Sequence, residues 1–339
     1  MDKCLILAVA GSGKTKFLID QLDQEKRFLL ITYTVNNYHN IRLRILREFG
    51  HMPPNIEIFS YFSFLYSFCF KPFLRMNLNV EGILFKECQN RYARGDDRFL
   101  SASRWVYYNR LAKLITEKGV IDGVKSRLEK YFDVLMIDEI QDFAGHDFNF
   151  LTQIASCDME MFFVGDFFQH TFDTSRDGNV NRDLHQDYDT YKQRFIDTGF
   201  TPNENTLSHS HRCSPSVCGF IEEHLRIAIQ SHRSDHTEIV CLSEIADIEP
   251  IVSDIDTIKL FFRDRRKYPI YAKNWGESKG EDHYQDVCIV LNDSSLKAFE
   301  KGKLHEIPQQ SKNKLYVALT RARGRLFLIP EKKIKGLKQ

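Results

Sequence analysis

Residues 4–15 read CLILAVAGSGKT, and this stretch decides the fold. An unbroken apolar run, Cys4 to Val9, ends in a turn of small residues, and helical spacing begins at Lys14. A short apolar run that enters a tight turn is typical of a buried parallel strand. Small residues let backbone N–H groups surround phosphate oxygens, and the N-terminus of the following helix adds positive potential. The stretch therefore predicts a P-loop on a parallel α/β sheet.

The P-loop residues have distinct expected roles, although the first position of the pattern is Ala8 instead of glycine. Lys14 is expected to reach the β- and γ-phosphates of ATP, and the Thr15 hydroxyl to bind Mg²⁺. The alternative is a Gly/Ser turn before a helix that carries a lysine by chance. The candidate nucleotide-binding residues are Ala10, Gly11, Ser12, Gly13, Lys14 and Thr15.

A P-loop needs an acidic partner at the end of a neighbouring strand. The apolar run 134–137 ends in Asp138 and Glu139, which supply such a partner. Asp138 is the candidate Mg²⁺ ligand, and Glu139 is the candidate carboxylate that polarises the attacking water. An apolar strand that ends in Asp-Glu is also common as a solvated strand end, which is the alternative.

The rest of the chain repeats the strand–helix alternation of a doubly wound α/β fold. Residues 65–130 are predicted to be helical, and residues 220–274 are mixed, so both stretches are expected to be insertions. Further strands are predicted over 27–33, 132–137, 161–165, 288–291 and 326–329, with helices over 14–22 and 312–320.

Composition limits the partners of the protein. Lys and Arg number 47 against 46 Asp and Glu, a net charge of +1. This balance argues against binding of nucleic acid by bulk positive charge and is compatible with a local basic groove. The longest apolar runs are far shorter than the roughly 20 residues of a membrane span. Eight cysteines without a CxxC pair favour free thiols in a reducing compartment. A cytoplasmic protein without a membrane partner is expected.

Several stretches, in order, resemble the motifs of superfamily 1 helicases of the UvrD/Rep type. The short chain is also similar to helicase-like subunits of bacterial anti-phage defence systems. Residues 10–15 resemble motif I, 30–34 (LITYT) motif Ia, 138–142 (DEIQD) motif II, 165–169 (GDFFQ) motif III, 207–217 motif IV, 278–282 (SKGED) motif V and 315–323 (LYVALTRAR) motif VI.

The resemblance implies that two RecA-like lobes hold Mg-ATP between them. Gln169 would contact the γ-phosphate, and Arg212 and Arg321 would act as arginine fingers, the alternative for each arginine being a surface salt bridge. Gly280 and Asp282 would bind the nucleotide, with Asp282 at the position of a ribose-binding acid. Ser214-Pro215 is predicted to begin a helix directly after Arg212.

The resemblance also implies a single-stranded DNA partner, with RNA as the alternative. Tyr33 and Phe172 are the candidates for base stacking, and each could instead be a core aromatic residue. The candidate nucleic-acid contacts are Thr32, Tyr33, Ser60, Phe172 and His211.

The sequence thus predicts an ATP-hydrolysing, helicase-like motor that translocates on single-stranded DNA or unwinds it. The alternative is a regulatory or sensor ATPase subunit whose nucleotide state controls a partner nuclease. The expected organisation is a first lobe over 1–64 and 131–205, a small helical insertion over 65–130, a second lobe over 206–330 with a short insertion near 220–274, and a basic tail over 331–339.

Overall fold

The computed structural model describes residues 2–88, 90, 92–171 and 178–337. The described chain divides into two compact units. The first unit comprises residues 2–6, 14–165 and 178–203, and the second comprises residues 7–13, 166–171 and 204–337.

Strands and helices alternate along the first unit. Its strands are β1 (Lys3–Leu7), β2 (Phe28–Thr32), β3 (Ile56–Ser60), β4 (Gly82–Leu84), β5 (Trp105–Tyr107), β6 (Val134–Asp138), β7 (Glu160–Gly165) and β8 (Thr201–Asn203). Its α-helices are α1 (Lys14–Asp20), α2 (Val35–Phe49), α3 (Tyr61–Ser63), α4 (Lys71–Leu74), α5 (Leu111–Glu117), α6 (Ile121–Tyr131), α7 (Gly145–Ile154) and α8 (Tyr188–Ile196).

The main sheet of this unit has six strands among the described residues, in the order β3-β2-β6-β7-β1-β8. Parallel ladders join β2 to β3 and β6, β6 to β7, and β1 to β8. Every residue of β2 and β6 is buried, as expected for central strands covered on both faces. The register places Thr32 opposite both Ser60 and Asp138, so the carboxyl ends of three neighbouring strands meet at one edge.

The stretch 65–130 differs from the predicted helical insertion. It begins in a π-helix, Phe64–Phe70, and ends in α5 and α6, but β4 and β5 form a parallel two-stranded sheet between them. Trp105 begins β5, and its ring lies against Gly82, where an added Cβ would be 2.7 Å from the ring. Gly82 leaves room for this indole, and the contact joins residues that are distant in sequence.

The second unit contains a parallel sheet of its own. Its strands are β9 (His209–Ser210), β10 (Gln230–Ser231), β11 (Ile239–Cys241), β12 (Ile258–Phe261), β13 (Ala272–Asn274), β14 (Val287–Leu291) and β15 (Leu326–Pro330). Its α-helices are α9 (Pro215–Leu225), α10 (Ile245–Ser253), α11 (Asp293–Glu300) and α12 (Gln309–Leu319). Five described strands pair in parallel in the order β11-β15-β14-β12-β13.

The stretch 220–274, where the sequence predicts a short insertion, contains strands. The stretch supplies β11, β12 and β13, three of the five strands of the sheet. Ile258 and Leu260 on β12 are fully buried in the core of the unit, together with Trp275. The stretch is therefore part of the sheet. Its strands are only three or four residues long, which is why they gave no clear apolar run in the sequence.

The predicted fold class, an α/β protein with parallel sheets, is confirmed. Local signals act where they were expected: Ser214 caps α9 by accepting the N–H of Val217, and Pro215 is the first helical residue. The lobe boundaries expected from the resemblance stay a prediction.

Candidate nucleotide site

The P-loop follows β1 in a conformation that requires glycine. Gly11 and Gly13 have φ angles of +73° and +90°, in the left-handed region. A Cβ added to Gly11 would lie 2.7 Å from Cβ of Arg212, so the loop approaches this arginine closely. The backbone N–H of His211 donates to the Gly11 carbonyl at 2.9 Å, and the N–H of Val9 donates to the Leu207 carbonyl at 3.0 Å. The loop is thereby held by the backbone of residues 207–211.

The first turn of α1 brings the P-loop side chains to the acidic end of β6. Lys14 Nζ lies 3.6 Å from Oε1 of Glu139, with both side chains largely buried. Thr15 Oγ1 donates to Asp138 Oδ2 at 3.2 Å. These four predicted residues are therefore neighbours within the first unit.

Glu139 lies at a strained turn directly after β6. Its φ is 57°, a left-handed conformation that is uncommon for a residue with a side chain. Its N–H donates to Asp138 Oδ1 at 2.9 Å, and Gln141 Nε2 donates to its Oε2 at 2.5 Å. The turn directs the Glu139 carboxylate back toward Lys14.

Asp138 offers the chemistry of a magnesium ligand. Burial, and after it the neighbouring Glu139, raise the pKa of Asp138 to about 7. The surrounding groups therefore do not fully stabilise the negative charge of its carboxylate. The donor set at this point is a carboxylate and a hydroxyl, both oxygen ligands of the kind that Mg²⁺ prefers. The residues present therefore fit a divalent cation.

Gln169 ends a short 3-10 helix, Phe167–Gln169, in the second unit. Its Nε2 donates to Asp166 Oδ2 at 2.9 Å, and both side chains are buried. Asp166 also caps the turn, because its Oδ1 accepts the N–H of Phe168 at 3.0 Å. Gln169, the residue predicted to contact the γ-phosphate, is thus oriented by Asp166.

The two predicted arginine fingers lie together in the second unit, where both pair with Asp282. Arg212 forms an ion pair with Asp282, and Arg321 Nη1 lies 3.7 Å from the same carboxylate oxygen. Arg321 is buried and also donates to the carbonyls of Val317 and Glu281, each at 2.9 Å. Burial, and after it Arg212, lower the pKa of Arg321 to about 10.

Arg212 has unused hydrogen-bonding capacity. Its Nε and Nη1 are buried and meet no acceptor in the described part of the chain. Its backbone is fixed by Ser210, whose Oγ accepts the N–H of Arg212 at 3.1 Å and that of Cys213 at 3.0 Å. An arginine held this firmly with two buried donors unpaired suits an anionic ligand.

The predicted nucleotide-binding pair Gly280 and Asp282 lies in a turn between β13 and β14. Gly280 has a φ of +83° and open space around it. Asp282 is engaged with the two arginines, as described above. Its neighbour Glu281, the other acid of the motif, contacts Lys273 and the Tyr284 hydroxyl.

Three of the candidate nucleic-acid contacts lie at the carboxyl ends of β2 and β3. Thr32 is fully buried, and its hydroxyl has no hydrogen-bond partner among the described residues. Tyr33 is half-buried and stacks on Tyr61 with ring centroids 5.6 Å apart. Ser60 Oγ donates to Ser63 Oγ at 2.8 Å.

The other two candidates lie elsewhere. His211 is exposed, and its ring stacks on His232 with centroids 4.1 Å apart. Phe172 lies outside the described residues, so its predicted role stays a prediction.

Two residues beside the loop were missed by the sequence reasoning. Ser210 supports Arg212 as described, and no sequence signal marks it. The Tyr316 hydroxyl accepts the N–H of Ala10 at 2.9 Å and donates to Asp166 Oδ2 at 3.2 Å. Tyr316 could have been found, because it lies inside the stretch 315–323 and a buried tyrosine hydroxyl requires a partner.

Across the described residues, the structure contains no helix long and apolar enough to cross a membrane, and no group of three or more His, Cys, Asp or Glu side chains that could hold a metal ion.

The solved structures that are similar to this chain include two helicases. An arterivirus nonstructural protein 10 helicase, solved in complex with DNA, aligns with 99% of this chain and 62% of its own, at 14% identity and a TM-score of 0.51. A PRRSV helicase aligns with 99% of this chain and 54% of its own, at 15% identity and a TM-score of 0.46. The chain therefore spans less than two thirds of either protein. No curated protein matches the sequence.

A family model gives the closer assignment. The model of the viral superfamily 1 RNA helicase core domain matches residues 98–329, which is more than half of the chain. The match includes the stretches around Asp138, Gln169, Arg212 and Arg321, which resemble superfamily 1 motifs. The chain therefore belongs to the family of viral superfamily 1 RNA helicase core domains.

Proposed function

We propose that the protein hydrolyses ATP and couples hydrolysis to movement along single-stranded nucleic acid. The observation that carries this proposal is the pairing of Lys14 with Glu139 and of Thr15 with Asp138. A cation for phosphate, oxygen donors for Mg²⁺ and a carboxylate for the attacking water are thus within a few ångströms of one another. Phosphoryl transfer needs this combination, because its catalysis consists of positioning and charge stabilisation.

Unpaired polar atoms around the loop support a phosphate ligand. Nε and Nη1 of Arg212 and the hydroxyl of Ser12 are buried, and the described residues provide no partner for any of them. Arg212 also lies against Gly11. A phosphate bound at the loop would supply acceptors to these donors, which would otherwise cost desolvation energy.

The proposed roles follow from these contacts. Thr15 and Asp138 would hold Mg²⁺, which supplies charge neutralisation at the phosphates when bound. Glu139 would orient and polarise the attacking water, and Gln169 would contact the γ-phosphate. Arg321, with Arg212, would neutralise charge on the transferring phosphoryl group.

The proposed nucleic-acid partner is single-stranded DNA, with RNA as the variant to compare. The arterivirus helicase with a similar fold was solved with DNA, whereas the matching family model describes RNA helicases. Tyr33 and Ser60, at adjacent strand ends, are the proposed contacts in the first unit. We propose that the motor consists of two lobes, the first over 1–64 and 131–205 and the second over 206–330.

On the motif resemblance, we also propose that the protein is related to helicases of the UvrD/Rep type. An alternative proposal on the same resemblance is that it is a regulatory ATPase subunit of an anti-phage defence complex, in which its nucleotide state would control a partner nuclease. In that case the nucleotide site would be the same, and hydrolysis would not respond to nucleic acid.

The test is steady-state ATP hydrolysis with no nucleic acid, with single-stranded DNA and with single-stranded RNA of the same sequence. The negative control is Glu139→Gln, and the matched control is Glu160→Gln, which alters only an exposed ion pair with Lys26. Stimulation by a single strand, lost in Glu139→Gln and kept in Glu160→Gln, is expected for a motor. Hydrolysis that ignores both strands would favour the regulatory subunit. No hydrolysis above the Glu139→Gln level would contradict both.

A further inference from the structure

One buried tyrosine in the second unit links three parts of the nucleotide machinery. Tyr316 on α12 is completely buried. Its hydroxyl accepts the N–H of Ala10, in the P-loop, at 2.9 Å. The same hydroxyl donates to Asp166 Oδ2 at 3.2 Å.

The direction of these hydrogen bonds is fixed by the groups involved. The Ala10 N–H can only donate, and the Asp166 carboxylate can only accept while it is ionised. The single proton of the Tyr316 hydroxyl therefore points at Asp166. Burial raises the pKa of Tyr316 well above its ordinary value, so the hydroxyl keeps this proton at every pH at which the protein would work.

The carboxylate oxygen that accepts from Tyr316 also accepts from Gln169. Nε2 of Gln169 lies 2.9 Å from Asp166 Oδ2, and Gln169 is buried as well. A change in the position of the Ala10 amide would thus reach the Gln169 side chain through three consecutive hydrogen bonds, by way of Tyr316 and Asp166. In a dry environment such chains are worth more than the sum of their separate bonds.

The helix that carries Tyr316 connects the same chain to Arg321. Asn313, one turn before Tyr316, donates to the carbonyl of His170 at 3.0 Å. Arg321 follows the end of the helix, and its Nε donates to the Val317 carbonyl at 2.9 Å. The helix therefore contacts the turn that holds Gln169 at two points and anchors the arginine at its end.

We propose that Tyr316 is a positioning residue that couples the phosphate-binding loop to Gln169 and to the helix bearing Arg321. It acts through Asp166 and does not touch the nucleotide, because its hydroxyl is used by Ala10 and Asp166. This inference rests on the proposed ATP hydrolysis and adds a residue to it. The Ala10 N–H, being held by Tyr316, is not a phosphate ligand in this arrangement.

The test is a double-mutant cycle on ATP hydrolysis with Tyr316→Phe and Gln169→Ala. Tyr316→Phe removes both hydrogen bonds of the hydroxyl. It is expected to lower kcat about 10- to 100-fold, the effect of losing the bond to the charged Asp166, and to change KM much less. If Tyr316 acts through Gln169, the double variant is no slower than Gln169→Ala alone. If the fall of kcat in the double variant equals the product of the falls in the two single variants, the proposal is overturned.

The matched control is Tyr268→Phe in the same unit. Tyr268 is also buried, and its hydroxyl donates to Glu331 Oε1 at 2.8 Å, away from the loop. Its variant loses a comparable hydrogen bond and is expected to keep the kcat of the unaltered chain. An equal fall of kcat in both tyrosine variants would show a general loss of structure and overturn the proposal.

A second readout requires no hydrolysis. In the Glu139→Gln chain, ADP, which lacks the γ-phosphate that Gln169 is proposed to contact, is expected to shift the NMR signal of the Gln169 side-chain amide. The additional Tyr316→Phe change should remove most of that shift while ADP still binds. A full shift in the variant overturns the coupling even if ATP is hydrolysed. If the chain does not hydrolyse ATP but the shift still depends on Tyr316, only the proposed reaction is overturned and the coupling stands.

Discussion

Arg321 and Asp282 form an ion pair in which the arginine is buried and the acid is half exposed. Arg321 Nη1 lies 3.7 Å from Asp282 Oδ1, and Arg212 pairs with the same oxygen. One carboxylate therefore holds two guanidinium groups, which repel each other: Arg212 is among the causes that lower the pKa of Arg321. This use of Asp282 competes with the ribose contact that the motif resemblance implies.

Asp282→Ala is expected to distinguish these two uses. If Asp282 positions the arginines, kcat falls about tenfold or more for both ATP and 2′-deoxy-ATP, because the arginines contribute much of the charge stabilisation in such sites. If it binds the ribose, the loss is confined to KM and is smaller for 2′-deoxy-ATP. We expect the first result. Asp286→Ala, which removes the partner of Arg325 in the same unit, is the control that should leave kcat unchanged.

Gly11→Ala is expected to damage the site more than the same change at Gly50. Both glycines have nearly the same φ, +73° and +74°, so each alanine costs about 1 kcal/mol of backbone strain. At Gly50 there is open space, whereas at Gly11 the new Cβ lies 2.7 Å from Arg212 Cβ. Displacement of the loop by this contact should reduce kcat/KM for ATP about 100-fold.

Thermal unfolding and ATP hydrolysis of both glycine variants provide the measurement. Gly50→Ala should lose a little stability and keep full activity, since Gly50 only ends α2. Equal activity in the two variants would contradict the close approach of Arg212 to the loop.

The nucleotide loop and its strand were predictable because their signals are local. The predicted strand 4–9 is β1, Lys3–Leu7, and only its end is misplaced. Beyond the end of the strand, the Val9 N–H donates to the Leu207 carbonyl at 3.0 Å. That contact depends on a residue about 200 positions away, which no local pattern can show.

The remaining parts depend on contacts between distant residues. Strands β4 and β5 are three residues each and exist through their mutual pairing, so a helical pattern was predicted in their place. Likewise, the motif resemblance identified Arg212, Arg321 and Asp282 as site residues. That both arginines pair with one carboxylate oxygen of Asp282 could be seen only in the folded structure. Tyr316 was inside a recognised motif, and only its hydrogen bonds revealed a role.

Thr15→Ala is expected to change the metal requirement of ATP hydrolysis. The Thr15 hydroxyl and the Asp138 carboxylate are 3.2 Å apart and together form the proposed Mg²⁺ donor set. Loss of one oxygen donor should raise the Mg²⁺ concentration for half-maximal activity about 10- to 100-fold. Thr116→Ala, which removes a hydroxyl bonded to the Ala112 carbonyl on α5, should leave it unchanged. A Thr15→Ala chain with unaltered Mg²⁺ dependence would exclude Thr15 as a ligand.

His232 is expected to titrate below the ordinary histidine value because of the ring stack beside the loop. Partial desolvation, then His211 and His209, lower its pKa from 6.5. A lowered histidine pKa means that the folded protein binds fewer protons than the unfolded chain between the folded pKa and 6.5. Stability contributed by this group is therefore present above 6.5 and is lost as the pH falls through that window.

NMR titration of the histidine rings measures this effect. His211→Gln should raise the pKa of His232 toward 6.5, because it removes a neighbouring charge and opens one face of the ring, which stacks on His211 at 4.1 Å. His51→Gln, at an exposed histidine of the first unit, should leave the pKa of His232 where it is. A pKa of His232 that does not respond to His211→Gln would mean that desolvation and His209 set it without His211. In that case protonation of His232 would not be linked to His211, the residue whose N–H donates to the Gly11 carbonyl of the P-loop.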